Sequence, residues 1–250
     1  MNIRKKGMFF GFGGYVRLLR KEIVLNFHRI IHFVQVSACA IMVLGACSAV
    51  YAASMPLEEL MTNMQKTYNE TVDIKANFSQ DTVIKSMNKK QREEGTVYFK
   101  KPRQMFWDYS KPKVKKLIIN ASKAWFYVPQ DNAVYVQDGD KIFKSQLTVR
   151  FLSGIGNLQE DFNVTYANDD GVDGQGNYVL ILKAKKSDLG VSHLKMTVDK
   201  GTYQILACSF TDAYGNDTRI SFRNIKTNTA LPDRLFQFKP PAKAEVFPMQ

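Results

Sequence analysis

Between Gly95 and Pro129 the chain packs three short runs of β-branched and aromatic residues, separated by breaks at Pro102-Arg103, Ser110-Lys111-Pro112 and Asn120-Ala121-Ser122. Such runs between turn residues predict successive antiparallel strands. Large apolar side chains recur at every second position, with Val97 and Phe99, then Met105, Trp107 and Tyr109, then Trp125 and Tyr127. Period-two spacing places each set on one face of its strand. A sheet with so many wide side chains on one face must cover them, either with its own core or with an apolar ligand.

The start of the chain bears on compartment. Residues 1–29 carry seven Lys or Arg and one acid, Glu22, followed by a mostly apolar run from Ile30 to about Ala49 and then Val50-Tyr51-Ala52. This reads as a secretory signal cut after Ala52, giving a leader over 1–52 and one domain over 53–250. An uncleaved anchor is the alternative, because the run approaches spanning length. Leu44-Gly45-Ala46-Cys47 resembles the lipobox of a bacterial lipoprotein, in which Cys47 would be acylated. Removing the leader from 35 Lys+Arg and 23 Asp+Glu leaves 28 and 22, a charge of +6 instead of +12. Half of the apparent basicity is thus targeting sequence.

The remaining chemistry is sparse. Cys208 is the one cysteine beyond the leader, so no internal disulfide is expected, and its apolar setting Ile205-Leu206-Ala207 predicts a buried, inert thiol. His193 is the one histidine beyond the leader. No zinc set and no assembled Ser-His-Asp arrangement can be read, so neither an enzyme nor a cofactor is expected. The glycines at 171, 174 and 176 precede a strand-like run and mark a turn, not a phosphate loop. Glu93-Glu94 and Asp169-Asp170 read as carboxylates in or beside turns.

One amphipathic helix is predicted over 56–69, with Leu57, Leu60, Met61, Met64 and Tyr68 at helical spacing. Strands are predicted near 72–84, 95–101, 104–110, 115–120, 123–129, 132–137, 163–167, 177–185, 191–199, 203–211 and 217–225, with a last short run at 236–238. Between them, Leu147, Phe151, Leu152, Ile155 and Leu158 lie near one helical face over 145–162, interrupted by Gly154 and Gly156.

Gly95-x-Val97-x-Phe99-x-Lys101-Pro102, Trp107-Asp108-Tyr109, Trp125-Phe126-Tyr127-x-Pro129, Phe151-Leu152-Ser153-Gly154 and Phe236-x-Phe238-x-Pro240-Pro241 follow one another in that order. In this the chain resembles the periplasmic outer-membrane lipoprotein carriers, the LolA family, over 55–248. The resemblance implies a mainly β (α+β) fold: an unclosed, strongly curved antiparallel barrel of about 11 strands, with a lid of short helices over an apolar cavity. It implies a chaperone that carries acylated lipoproteins between the inner and outer membranes. Its partners would be an ATP-driven inner-membrane transporter as donor and an outer-membrane lipoprotein as acceptor. The alternative is the acceptor itself, or another lipid-binding lipoprotein, which acylation of Cys47 would favour. A monomer is expected.

On that reading Val97, Phe99, Met105, Trp107, Trp125 and Tyr127 line the acyl-chain site, and Leu57, Leu60, Met61, Met64, Phe151, Leu152 and Ile155 form the lid. An acyl chain of about fifteen methylenes, at ~0.8 kcal/mol each, costs on the order of 12 kcal/mol to leave in water. A lid that plugs the empty site lowers the net gain, so that cargo can be released. In the family an Arg before the hairpin Pro is proposed to latch the lid. Here that position is Lys101, with Arg103 two residues on, and Lys offers a point charge where Arg offers a planar fork. Phe106 occupies an outward position, marking an exposed patch or a bulge. Lys100, Lys101, Arg103, Lys111, Lys113, Lys115 and Lys116 stand against Asp108 alone, which reads as a solvated face or as steering toward an acidic surface or anionic lipid. A secreted chain argues against nucleic acid as the partner.

Overall fold

The computed structural model describes residues 55–139, 158–185, 193–212 and 214–249, and Ala53–Gln250 forms one compact unit. Helix α1 (Leu57–Glu70) opens it, with Pro56 at its cap and Glu58 and Glu59 in the first turn, where they complement the helix dipole. Twelve strands follow: β1 (Asp73–Ile84), β2 (Lys89–Lys100), β3 (Gln104–Lys111), β4 (Lys115–Ile119), β5 (Lys123–Val128), β6 (Ala133–Asp138), β7 (Phe162–Tyr166), β8 (Tyr178–Ala184), β9 (His193–Val198), β10 (Ile205–Thr211), β11 (Asp217–Thr227) and β12 (Glu245–Pro248). A one-turn helix α2 (Leu158–Asp161) precedes β7.

All twelve strands join one sheet in the order β12-β6-β5-β4-β3-β2-β1-β11-β10-β9-β8-β7. Among the described residues the sheet is unclosed, with β12 and β7 as its terminal strands. Its pairings are antiparallel except β12 with β6, which run parallel. The sequence predicts about 11 strands, and three details differ. β2 starts at Lys89, six residues early, because its first half is charged and carries no hydrophobic alternation; the β1–β2 hairpin pairs it all the same. Residues 236–238 are not a strand but the exit of a 3-10 turn over Asp233–Phe236. β12 is a fully exposed edge of four residues, with no buried face to announce it.

Alternation sorts the strands into two faces. The inner face carries Ala76 and Phe78 of β1, Val97 and Phe99 of β2, Met105 and Trp107 of β3 and Ile119 of β4. On the other side of β1 it continues through Phe222, Cys208, Met196, Leu180 and Phe162. These residues form one cluster with Leu60, Met61 and Met64 of α1, so the helix lies on the inner face of a sheet curved around it. Gly95 is required where the wall is tightest. A Cβ there would stand 2.1 Å from the Asp108 carbonyl oxygen and 2.8 Å from the Phe78 ring, beside a shift of register between β2 and β3.

Trp125 and Tyr127 are not on that face. Ile118 pairs with Trp125 and Lys116 with Tyr127, whereas Leu117, in line with Trp107, pairs with Phe126. Bulky residues fill three consecutive positions here, so alternation alone left the facing of β5 undetermined, and a one-residue change of register exchanges the two faces. Phe126 is the inward residue. Phe106 likewise is outward but covered, being 8 % exposed. With Ile118 it forms a second cluster under Leu231, Phe236 and Phe238 of the C-terminal segment. Tyr98 stacks on Phe106 at 5.5 Å, and Phe238 lies 6.2 Å from Trp125 and 5.5 Å from Tyr127 between ring centroids.

Candidate functional site

The inner face and α1 enclose the site. Leu60, Met61 and Met64 fall on one side of the helix at i, i+1 and i+4 and are buried, with Leu57 packed at their margin. Beneath them Trp107 is the hub of an aromatic cluster: Phe78 meets it edge-on at 4.7 Å, Phe99 at 6.0 Å, and Phe222 tilts against it at 6.2 Å. Such edge-to-face pairs contribute about 0.5–1.5 kcal/mol each beyond burial. Leu60, Met61 and Met64 of α1 pack into the hollow against the inner-face residues. Between its last turn and the floor there remains a cavity of about 30 Å³, lined by Tyr68, Thr71, Ile74, Phe99, Ile205 and Phe222 among others.

Among the described residues, polar ties hold the helix down along its length. Lys101 Nζ donates to the carbonyls of Tyr68 and of Asn69, the latter at 3.1 Å, and so meets orphan carbonyls of the last turn. Asn228 accepts from Val72 N–H at 2.7 Å and donates to the Glu70 carbonyl at 3.3 Å. At the other end the Tyr166 hydroxyl donates to the Met55 carbonyl; in the last turn Thr67 donates to the Thr202 carbonyl at 3.3 Å and the Tyr68 hydroxyl accepts from the Ile205 N–H at 3.2 Å. Burial lowers the Lys101 ammonium below its ordinary range. Arg103 sits at φ 56° in the β2–β3 turn. Of the remaining lid residues expected from sequence, Phe151, Leu152 and Ile155 lie outside the described residues.

Asp73 anchors the strand that follows the helix. It is 2 % exposed and accepts hydrogen bonds from Thr229 N–H at 2.8 Å, Thr229 Oγ1 at 2.9 Å and Leu231 N–H at 3.1 Å. Burial works against its ionisation, but these bonds outweigh it and hold the carboxyl below the usual carboxylate range. Cys208 lies on the inner face close to Tyr68; burial pushes its thiol up to about 12, and burial also raises the Tyr68 phenol. The thiol is inert at neutral pH.

The apolar floor has a polar fringe that sequence reading missed. Glu93 is not in a turn but inside β2, on the inner face and 7 % exposed. Its Oε1 pairs with Lys115 Nζ at 2.6 Å, and its Oε2 accepts from Gln80 at 3.4 Å. Lys115 stands 4.4 Å over the Tyr109 ring, whose phenol is raised by burial and by the nearby Glu93. The signal available was parity: Glu93 is two and four residues from Gly95 and Val97 on one strand, and Lys115 is two and four from Leu117 and Ile119. No group of three metal-ligating side chains occurs among the described residues, and none of their helices is long and apolar enough to cross a membrane.

Against known proteins, the family model described as outer membrane lipoprotein carrier protein LolA matches residues 69–239. An outer-membrane lipoprotein carrier protein of Methylococcus capsulatus is 28 % identical over 175 residues, covering 70 % of this chain and 80 % of that one. One from Pseudomonas paraeruginosa is 30 % identical over 180 residues, covering 71 % and 82 %. Among solved structures, an uncharacterized conserved protein of Thermus thermophilus superposes with a TM-score of 0.50 at 14 % identity, covering 77 % of this chain and 98 % of the other. That likeness concerns the fold alone.

Proposed function

Because the chain belongs to the LolA family of outer-membrane lipoprotein carrier proteins, we propose that its hollow shelters the acyl chains of lipoproteins on their way to the outer membrane. It is a periplasmic lipoprotein chaperone. The observation that carries the acyl-chain assignment is the plug: an apolar, aromatic wall closed by a helix whose own Leu60, Met61 and Met64 occupy the space. Acyl chains gain burial only by displacing those side chains. The net affinity is therefore a difference between two similar apolar terms, which keeps binding reversible. Methionine suits such a helix, since its unbranched side chain repacks readily.

Within this reading Val97, Phe99, Met105, Trp107 and Phe126 form the wall, α1 is the lid, and Lys101 is its latch. Residues 1–52 act as the export signal and 53–250 as the carrier domain. The cargo is handed on from an ATP-driven transporter in the inner membrane to an acceptor lipoprotein at the outer one. No catalytic step enters this account.

The test is release. The processed protein is added to spheroplasts synthesising a labelled lipoprotein, beside a cargo whose acylated Cys is replaced. Soluble cargo bound one-to-one, and only when acylated, is the expected result; cargo that stays on the membrane with wild-type protein present would overturn the reading.

A further inference from the structure

The inner wall changes character along its strands. β2 runs inward-facing from Phe99 through Val97 and Gly95 to Glu93, and β4 from Ile119 through Leu117 to Lys115. At one end these positions pack under α1; at the other they present an ion pair. Six residues at ~3.3 Å each make this wall about 20 Å long, enough for an acyl chain, which spans half of a ~30 Å hydrocarbon core. The wall thus has the polarity profile of an amphiphile lying along it.

An ion pair at that place needs an explanation. With side chains 9 % and 22 % exposed, Glu93 and Lys115 give up much of their hydration, a cost that a pair on an apolar wall recovers poorly compared with hydrophobic residues. Both also keep bonding capacity. A carboxylate has about four acceptor sites and an ammonium three donors. Among the described residues Glu93 meets Lys115 and Gln80, and the Lys115 ammonium pairs with Glu93 and otherwise lies over the Tyr109 and Phe126 rings.

We infer that Glu93 and Lys115 form a receiving site for the polar junction of the cargo, where ester and amide groups join the acyl chains to the N-terminal cysteine. Lys115 donates to ester carbonyls, and Glu93 accepts from the amide N–H. The acyl chains then run toward Phe99 and α1, and the cargo's polypeptide leaves past the hairpin tips at Met87 and Val114. This rests on the carrier reading and adds to it an orientation and a basis for choosing acylated protein over bare hydrocarbon. Ester carbonyls also occur in free phospholipid, so the two sources must be separated.

The test uses the processed protein and its Glu93→Gln/Lys115→Met double variant, which removes both charges while keeping shape. Three fluorescent probes are titrated: a triacylated cysteinyl peptide, a diacyl phospholipid of equal chain length, and a pyrenyl alkane without polar groups. The expected result is a roughly tenfold loss for the lipopeptide, a smaller loss for the phospholipid and none for the alkane. Equal losses for all three would mean a structural role and overturn the inference, as would no loss for any. A loss confined to the phospholipid would reassign the site to free lipid. Wild-type protein that fails to bind the lipopeptide at all overturns the carrier reading itself. Orientation is read separately with a spin label at Val114→Cys or at Thr202→Cys, Cys208 being buried. A fluorophore on the peptide is quenched from position 114 if the inference holds, and from 202 if the cargo lies the other way.

Discussion

At the scale of single residues, buried polar groups fix the frame around the hollow, and Asp73 is the clearest case. Its carboxyl is held below the ordinary range in the folded protein, so it binds protons more weakly folded than unfolded. Its contribution is therefore complete above the unfolded carboxylate range and is lost as pH falls through the folded value. Asp73→Asn turns one oxygen into a donor facing the Leu231 N–H, which leaves two donors opposed. The expected outcome is a loss of about 2 kcal/mol near neutral pH. In urea melts at several pH values the difference from wild type should shrink toward acid; a constant difference would refute the role of ionisation. Cys208 was legible from its apolar neighbours. Asp73 was not, because its partners lie more than 150 residues away.

At the scale of elements, α1 is part of the core and, in the proposed function, the part that moves. Leu60 is fully buried, and truncating such a leucine costs about 2–5 kcal/mol. Leu60→Ala should destabilise the cargo-free protein by that amount and the lipopeptide complex by clearly less, because in the complex the helix has left the wall. Thermal melts with and without lipopeptide decide it, and equal losses would show that α1 stays seated. Lys101→Met removes the clasp on the last turn while keeping the apolar stem. Maleimide labelling of Cys208, beside Tyr68, should then become faster by about tenfold, with the unfolding midpoint moving little; an unchanged rate would remove Lys101 from the latch. The sequence spacing of Leu57, Leu60, Met61 and Met64 made this helix readable, because a 3.6-residue period has one buried side. The face of β5 was not readable. Trp125, Phe126 and Tyr127 are all large, and only pairing with β4 decides which of them looks inward. The ion pair escaped for a related reason: Glu93 and Lys115 are 22 positions apart and meet only through β3.

At the scale of the whole molecule, stability should grade outward from the middle of the sheet. β1 pairs along twelve positions with β2 and nine with β11, whereas β12 holds four exposed residues at an edge. Hydrogen exchange should accordingly be slowest in β1, β2 and β11 and fastest in β12; protection of β12 comparable to that of β1 would contradict this grading. The sequence conveyed the order of helix and strands well, since each strand with a buried face shows it, and conveyed the edges poorly, since β12 has none. Those edges matter beyond their own stability. A closed barrel has its bore set by strand number and stagger and can widen only by breaking pairing. A sheet whose terminal strands β12 and β7 are not paired with each other is free of that condition. Its circumference is not conserved, so it can widen for a bulkier passenger and narrow again with its backbone pairing intact.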